Sequence, residues 1–275
     1  MNTKARELLI KTRRRLFGPN IGNNISTFQG SGIDFAELKE YTYGDDVRKI
    51  NWKVTAREQK PYINVFNEER ELNIVVGFCV AGSIWFGSVR QKQEVMAEIL
   101  ALLGFAAIKN SDKVSSLFFA DDLLRWFKPS KSPNIVYAAL EHALSLDVRG
   151  KKGDTQAFAD FLLRTVRERS VVLLVGDFYD EADLSWLGAR HELYVIVVRD
   201  RFEERPELAG EYDLIDPVTL RRRRVDLNDG ALRTWSRELE AHDERLKEHC
   251  LKHRIGLTKI YTDEDPFLKL RELLK

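Results

Sequence analysis

The sequence predicts an α/β domain built on a mostly parallel, doubly wound sheet and preceded by an N-terminal β-rich or irregular segment. Three observations carry this reading. From about residue 74, short apolar runs alternate with helical patterns of about ten residues or more, as βα units do. The runs "SVVLLVG" and "LYVIVV" are apolar throughout, as strands are when crossover helices cover both faces of the sheet. Residues 1 to 70 lack such runs and are rich in Gly, Asn, Asp and Arg. The expected division is therefore 1–70 for the N-terminal segment and 71–275 for the α/β domain.

Taken in order, "MNTKARELLIKTRRRLFG" is basic and amphipathic, and Leu8, Leu9, Ile10 and Leu16 fit a short helix. It lacks the long apolar core and cleavage site of a signal peptide. "YINVFNEERELNIVV" reads as an extended segment feeding the first core strand, "NIVVGFCV". That strand lies in an uncharged run from Leu72 to Val89, close to the length of a membrane span. Asn73, Gly77, Gly82, Ser83, Gly87 and Ser88 interrupt the run, and Val and Ile crowd its first half, so it reads as a buried strand entering a loop.

Next comes a largely buried helix, "VRQKQEVMAEILALLGFAAIKN", then a strand, "KVSSLFFA", and a helix opened by Pro133. "TQAFADFLLRTVRER" is a helix with Asp154 or Thr155 as its cap. "SVVLLVGDF" and "ELYVIVVRD" are strands flanking the short helix "EADLSWLGAR". "YDLIDPVTLRRRRVDLND" reads as an exposed hairpin about a Pro-Val-Thr turn. A long helix through His242, His249 and His253, a strand "IGLTKIYT" and a helix "DPFLKLRELLK" close the chain.

Lys and Arg number 44 against 43 Asp and Glu, a balance that argues against a general nucleic-acid binder. The clusters "KTRRRLF" and "RRRR" lack interleaved stacking aromatics and read as solvated surface. Cys79 and Cys250 form no CxxC, so both are expected to be reduced and the chain cytoplasmic. No HExxH or GxSxG motif and no Walker A loop occurs. The histidines read as exposed helix residues, and no catalytic set stands out.

Ligands of open α/β sheets bind where loops leave the carboxyl ends of the strands. Three such loops carry oxygen-bearing residues: Cys79 to Ser83, Gly150 to Thr155, and Gly176 to Phe178. With these loops, residues 71–275 resemble a von Willebrand factor A-type domain. In that fold an Asp-x-Ser-x-Ser loop, a Thr and a further Asp build a metal-ion-dependent adhesion site. Here the first loop is Cys79-Val80-Ala81-Gly82-Ser83, so Cys79 replaces the Asp and Ala81 the first Ser, while Ser83, Thr155 and Asp177 remain. A neutral thiol is a soft, poor Mg²⁺ ligand and Ala offers none, so the site is expected to be degenerate and to hold no metal. Cys79 then reads as a small apolar filler, Thr155 as a cap residue and Asp177 as a turn residue.

The stretch "GSGIDFAELKEYTYGDDVRKINWKVTARE" is very similar to the signature of the domain-of-unknown-function 58 family. The matching residues include Gly30, Gly32, Asp34, Phe35, Leu38, Tyr41, Gly44, Asp45, Asp46, Arg48, Ile50, Trp52, Ala56 and Arg57. In that family the motif precedes a von Willebrand factor A-like domain. From the residues alone, "GDD" suggests Asx-type turns. Asp45, Asp46, Arg48 and Arg57 are expected to form an ion-pair network, with Tyr41 and Trp52 supplying apolar mass. A partner-binding surface on the same residues is the functional alternative.

The resemblance implies a bacterial, non-enzymatic protein-interaction module. Its expected partners are a MoxR-type AAA+ ATPase and other von Willebrand domain proteins, in chaperone-like assembly or maturation of protein complexes. No cofactor, nucleic acid or integral membrane segment is expected. The runner-up reading is an Mg²⁺-dependent binder of a partner carboxylate through Ser83, Thr155 and Asp177. A hydrolase using Asp45 or Asp46 as base is a third.

Overall fold

The computed structural model describes residues 3–17, 35–66, 71–206 and 210–274. Its elements run α1 (Thr3–Phe17), β1 (Phe35–Glu40), α2 (Trp52–Glu58), β2 (Tyr62–Phe66), β3 (Asn73–Cys79), α3 (Lys92–Lys109), β4 (Lys113–Phe119), β5 (Leu123–Ser130), α4 (Pro133–Ser145) and α5 (Thr155–Thr165). They continue with β6 (Val171–Gly176), α6 (Ser185–Arg190), β7 (Glu192–Arg199), α7 (Arg201–Glu204), β8 (Gly210–Ile215), β9 (Arg222–Leu227), α8 (Asp229–Lys252), β10 (Gly256–Tyr261) and α9 (Pro266–Leu273). Short 3₁₀ turns lie at Val47–Lys49 and Gly82–Trp85.

The chain divides into two units, one of residues 1–28 and 72–275 and the other of residues 29–71. The larger unit resumes at Leu72 and also takes in the first residues of the chain. The reason is packing: α1 buries Ala5, Leu9 and Leu16 in the same core as α3. Lys11 pairs with the buried Glu98 of α3 at 2.6 Å, and the Lys109 ammonium donates to the Leu16 carbonyl at 3.0 Å.

The larger unit is mixed α/β about a six-stranded sheet ordered β10-β7-β6-β3-β4-β5. All neighbours are parallel except β4 and β5. Two apolar layers explain the unbroken apolar strands. Ile74, Val76 and Phe78 face a core shared with α1, α3, α4 and α9, whereas Val75 and Cys79 face one shared with α5, α6 and α8. Each fully buried side chain of this kind contributes roughly 1.5–3 kcal/mol. Gly77 is needed for the second layer, because a Cβ there would lie 2.8 Å from the Phe158 ring of α5. Both cysteines are free thiols within the core.

Three elements were not expected from the sequence: β5, α2 and the single-turn α7. Strand β5 has mostly half-buried or exposed residues, with Arg125, Lys128 and Pro129 among them. Charges and proline suit an antiparallel edge and erase the apolar signal. Helix α2 lies in a segment read as irregular or β-type, and starts because the Asn51 side chain accepts the Val54 N–H at 3.2 Å. The stretch read as extended begins as β2, which pairs with β1 in the smaller unit, and its residues 67–70 lie outside the described residues.

The hairpin forms as β8 and β9, and two of the four arginines at 221–224, Arg222 and Arg224, pair with Asp213 at 2.7 and 3.3 Å. The uncharged run from Leu72 folds as β3 and a 3₁₀ turn. Among the described residues, no helix is long and apolar enough to cross a membrane.

Candidate functional site

Strands β3 and β6 are neighbours in the sheet, but their chains leave toward helices on opposite faces. Their carboxyl ends therefore open a crevice, the switch point where open α/β sheets place ligands. Cys79 ends β3 and Asp177 follows β6. The 3₁₀ turn after β3 is fastened by Gly82 N–H donating to the Lys151 carbonyl at 3.0 Å. The hairpin turn lies against it: Gly150 N–H donates to the Pro217 carbonyl at 2.9 Å, and a Cβ on Gly82 would meet that oxygen at 1.9 Å. Only glycine permits so close an approach.

All five positions singled out in the sequence meet here. The Cys79 thiol lies 3.3 Å from the Thr155 hydroxyl. That hydroxyl donates to Asp180 at 2.7 Å, so it accepts from the thiol, and the Thr155 N–H donates to the other Asp180 oxygen at 2.6 Å. Burial pushes the Cys79 pKa up to about 12, and the nearby Asp180, Asp177 and Asp154 add to the effect. Cys79 is therefore a neutral thiol at physiological pH. Ala81 is buried and brings no ligand atom. The cap of α5 is Asp154, which accepts the Ala157 N–H at 2.8 Å, rather than Thr155.

Asp177 is more than a turn residue. Its carboxylate accepts from the Ser83 hydroxyl and, at 3.0 Å, from the ammonium of Lys92. Lys92 opens α3 and is 0% exposed. Its ammonium also donates to Glu203 at 2.7 Å, and the other oxygen of Glu203 accepts the Asp200 N–H at 2.9 Å in a capping box. A buried charge needs such partners, and two carboxylates supply them. Burial alone would raise the Asp177 pKa. The Lys92 ammonium, the Ser83 hydroxyl and the more distant Arg199 reverse this and hold it below the ordinary value. Arg199 is itself fully buried, stacked 4.2 Å over Tyr179 and paired with Asp243 at 3.0 Å.

This donor set is a poor match to Mg²⁺, which takes hard oxygen ligands. Cys79 is a neutral thiol, Ala81 offers nothing, and the one remaining acidic position, Asp177, already carries an ammonium. A divalent ion there would sit beside a buried like charge. Among the described residues, no group of three or more His, Cys, Asp and Glu side chains is arranged to hold a metal.

The sequence motifs did not single out Lys92, Asp180, Arg199 or Glu203. A signal existed for two of them. Lys92 begins a helix whose next residues are almost all buried, and Arg199 follows the unbroken apolar run Leu193–Val198. A charge inside a buried stretch implies a partner, but not which one.

The signature residues lie in the smaller unit, and Gly30, Gly32 and Asp34 fall outside the described residues. Phe35 starts β1, Tyr41 is half-buried, and Gly44 has φ +112°, a conformation that favours glycine. Asp45 accepts from the Thr42 hydroxyl at 2.7 Å and the Thr42 N–H at 2.9 Å, which hold its carboxyl below the ordinary range. Such a group is a weak general base. Asp46 accepts the backbone N–H of Arg48 at 3.0 Å, and Arg57 lies 3.7 Å from Glu58. The expected pairing of these aspartates with Arg48 and Arg57 is therefore replaced by local turns and by an ion pair of Asp45 with Lys39 at 3.4 Å. Trp52 is 71% exposed rather than core, because no residue of α2 is buried. A unit this small has little interior to offer an indole.

The family model described as "Protein of unknown function DUF58" matches residues 37–245. The chain is 24% identical over 270 residues to an uncharacterized protein of Mycobacterium bovis, covering 94% of this chain and 84% of that one. It is equally similar to an uncharacterized protein of Mycobacterium tuberculosis. Among solved structures, the conserved hypothetical protein BatB from Bacteroides thetaiotaomicron matches 74% of this chain and 97% of its own, with TM-score 0.44 and 12% identity. An aerotolerance-related membrane protein from Bacteroides fragilis, solved with multiple mutations to serines, matches 74% and 96% at TM-score 0.44 and 13% identity.

Proposed function

This chain belongs to the family described as protein of unknown function DUF58, and from that premise we propose that it is a non-enzymatic protein-interaction module that docks its partner without a divalent ion. The observation that carries the reading is Lys92. Its buried ammonium sits on Asp177 and Glu203, at the end of the sheet where a von Willebrand factor A-type domain would use a metal to hold its loops. In this reading the adhesion site is degenerate, and an internal cation replaces the ion. The three loops then hold one arrangement whatever the Mg²⁺ concentration.

The proposed partner is a MoxR-type AAA+ ATPase in the cytoplasm, with this chain as the docking component in assembly or maturation of protein complexes. The exposed Trp52 and Tyr43 give the smaller unit an apolar surface suited to such contacts.

Affinity isolation of the native full chain, with nucleotide present to preserve ATPase rings, tests the partner. Recovery of an AAA+ ATPase is expected, and its repeated absence overturns the assignment. Calorimetric titration with Mg²⁺ tests the ion-free site. No saturable binding is expected, whereas binding abolished by Asp177→Ala restores the metal-dependent reading.

A further inference from the structure

A cavity of about 750 Å³ opens above the Lys92–Asp177 pair, between the hairpin turn and α8. Ala81, Val218, Leu239 and the Trp235 indole give it apolar walls. Trp235 is 47% exposed, and its indole N–H is fastened to the Glu203 carbonyl at 2.6 Å.

The charges lining this space are one-sided. Asp177, Asp180, Glu203, Asp216 and Glu238 line it, against one lysine, Lys152, and one histidine, His242, whose Nε2 lies 2.7 Å from the Phe178 carbonyl. The Lys92 ammonium is buried and committed to Asp177 and Glu203. Asp180 is hydrogen-bonded by Thr155 at the start of α5, and Asp216 by Val218 and Thr219 of its own turn, neutral groups that leave the charges in place. Glu238 is exposed on α8 where the helix borders the cavity.

An acidic partner group, the ligand an ion-bearing adhesion site would take, meets like charge here. A basic side chain fits on both counts. Its aliphatic stem lies along apolar walls, and its head meets carboxylates and an indole, the ring type best suited to cations. Arginine matches planar carboxylates and aromatic faces better than lysine. The volume is within the range that holds a short segment around that side chain.

We propose that this cavity binds an arginine-bearing segment of a partner polypeptide, inverting the charge preference of a metal-dependent adhesion site. The proposal rests on the interaction-module reading and names the chemistry its partner presents.

The test uses the full chain and two peptides differing at one residue, acetyl-Gly-Leu-Arg-Leu-Gly-amide and its Glu counterpart, titrated by NMR or calorimetry. The Arg peptide is expected to bind at least about tenfold more tightly than the Glu peptide. Glu238→Lys, on the exposed face of α8, should weaken the Arg peptide by a similar factor without changing the melting temperature. Glu240→Lys, outside the cavity, should leave binding unchanged. Equal binding of the two peptides, binding of neither, or equal effects of the two substitutions overturns the proposal. If the native chain recovers its ATPase while the peptides fail, the arginine site falls and the function stands. If the Arg peptide binds as expected and no ATPase is recovered, the partner assignment falls alone.

Discussion

Polar residues do opposite jobs in the two units. In the larger one, the buried Lys92 pairs with the buried Asp177 and the half-buried Glu203, so these charges fasten α3, the loop after β6 and α7 together. In the smaller one, Asp45, Asp46 and Asn51 bond backbone N–H groups within a few residues of themselves, and the aromatic Trp52 faces outward. Buried ions at long range define a site, whereas local turns define a scaffold that presents a surface. The first arrangement is costly to break and the second is not.

The largest expected effect is at Lys92. Lys92→Met strands the buried Asp177 carboxylate and removes the partner of the half-buried Glu203, and should cost about 3–5 kcal/mol in urea unfolding of the full chain. A loss under about 1 kcal/mol would place the pair with ordinary surface ion pairs and erase the contrast.

The pH dependence sharpens the same point. Asp177 is held below 3.8 when folded, so its stabilisation is complete above that value and is lost as pH falls through the folded pKa. In Lys92→Met, burial becomes the governing influence and raises the carboxyl, which reverses the sign. The stability gap between variant and wild type should then narrow as pH falls from 7 toward 3. A gap independent of pH contradicts the assignment.

A smaller effect is expected at Asn51. Asn51→Ala removes the cap of α2 and should cost about 1 kcal/mol, read as faster hydrogen exchange at the Val54 amide that it holds. The smallest is Trp52→Ala, which should change stability by no more than about 0.5 kcal/mol while reducing partner recovery in affinity isolation. A large loss of stability there would make Trp52 a core residue after all.

How much was legible in the sequence follows from where the signal resides. Strands β3, β6 and β7 announced themselves because both faces are covered, leaving no polar residue in Val171–Val175. The presence of Cys79 and Ala81 in the loop after β3, neither of which offers a hard oxygen ligand, was equally plain, since it is a matter of residue type. Strand β5 was invisible because an edge strand with Arg125 and Lys128 resembles a loop. The outward position of Trp52 was hidden too, since an indole reads as core until the size of the available interior is known.

The sequence by itself determined the α/β layering, the family signature and which residue types stand at the ends of β3 and β6. These are local properties, set by periodicity and residue type. Only the tertiary structure decided what stands on Asp177. Lys92 reaches it across 85 residues of chain and reaches Glu203 across 111. No periodicity records such a pairing, because it exists only once separate loops are brought to one end of the sheet and a buried ammonium must find carboxylates there.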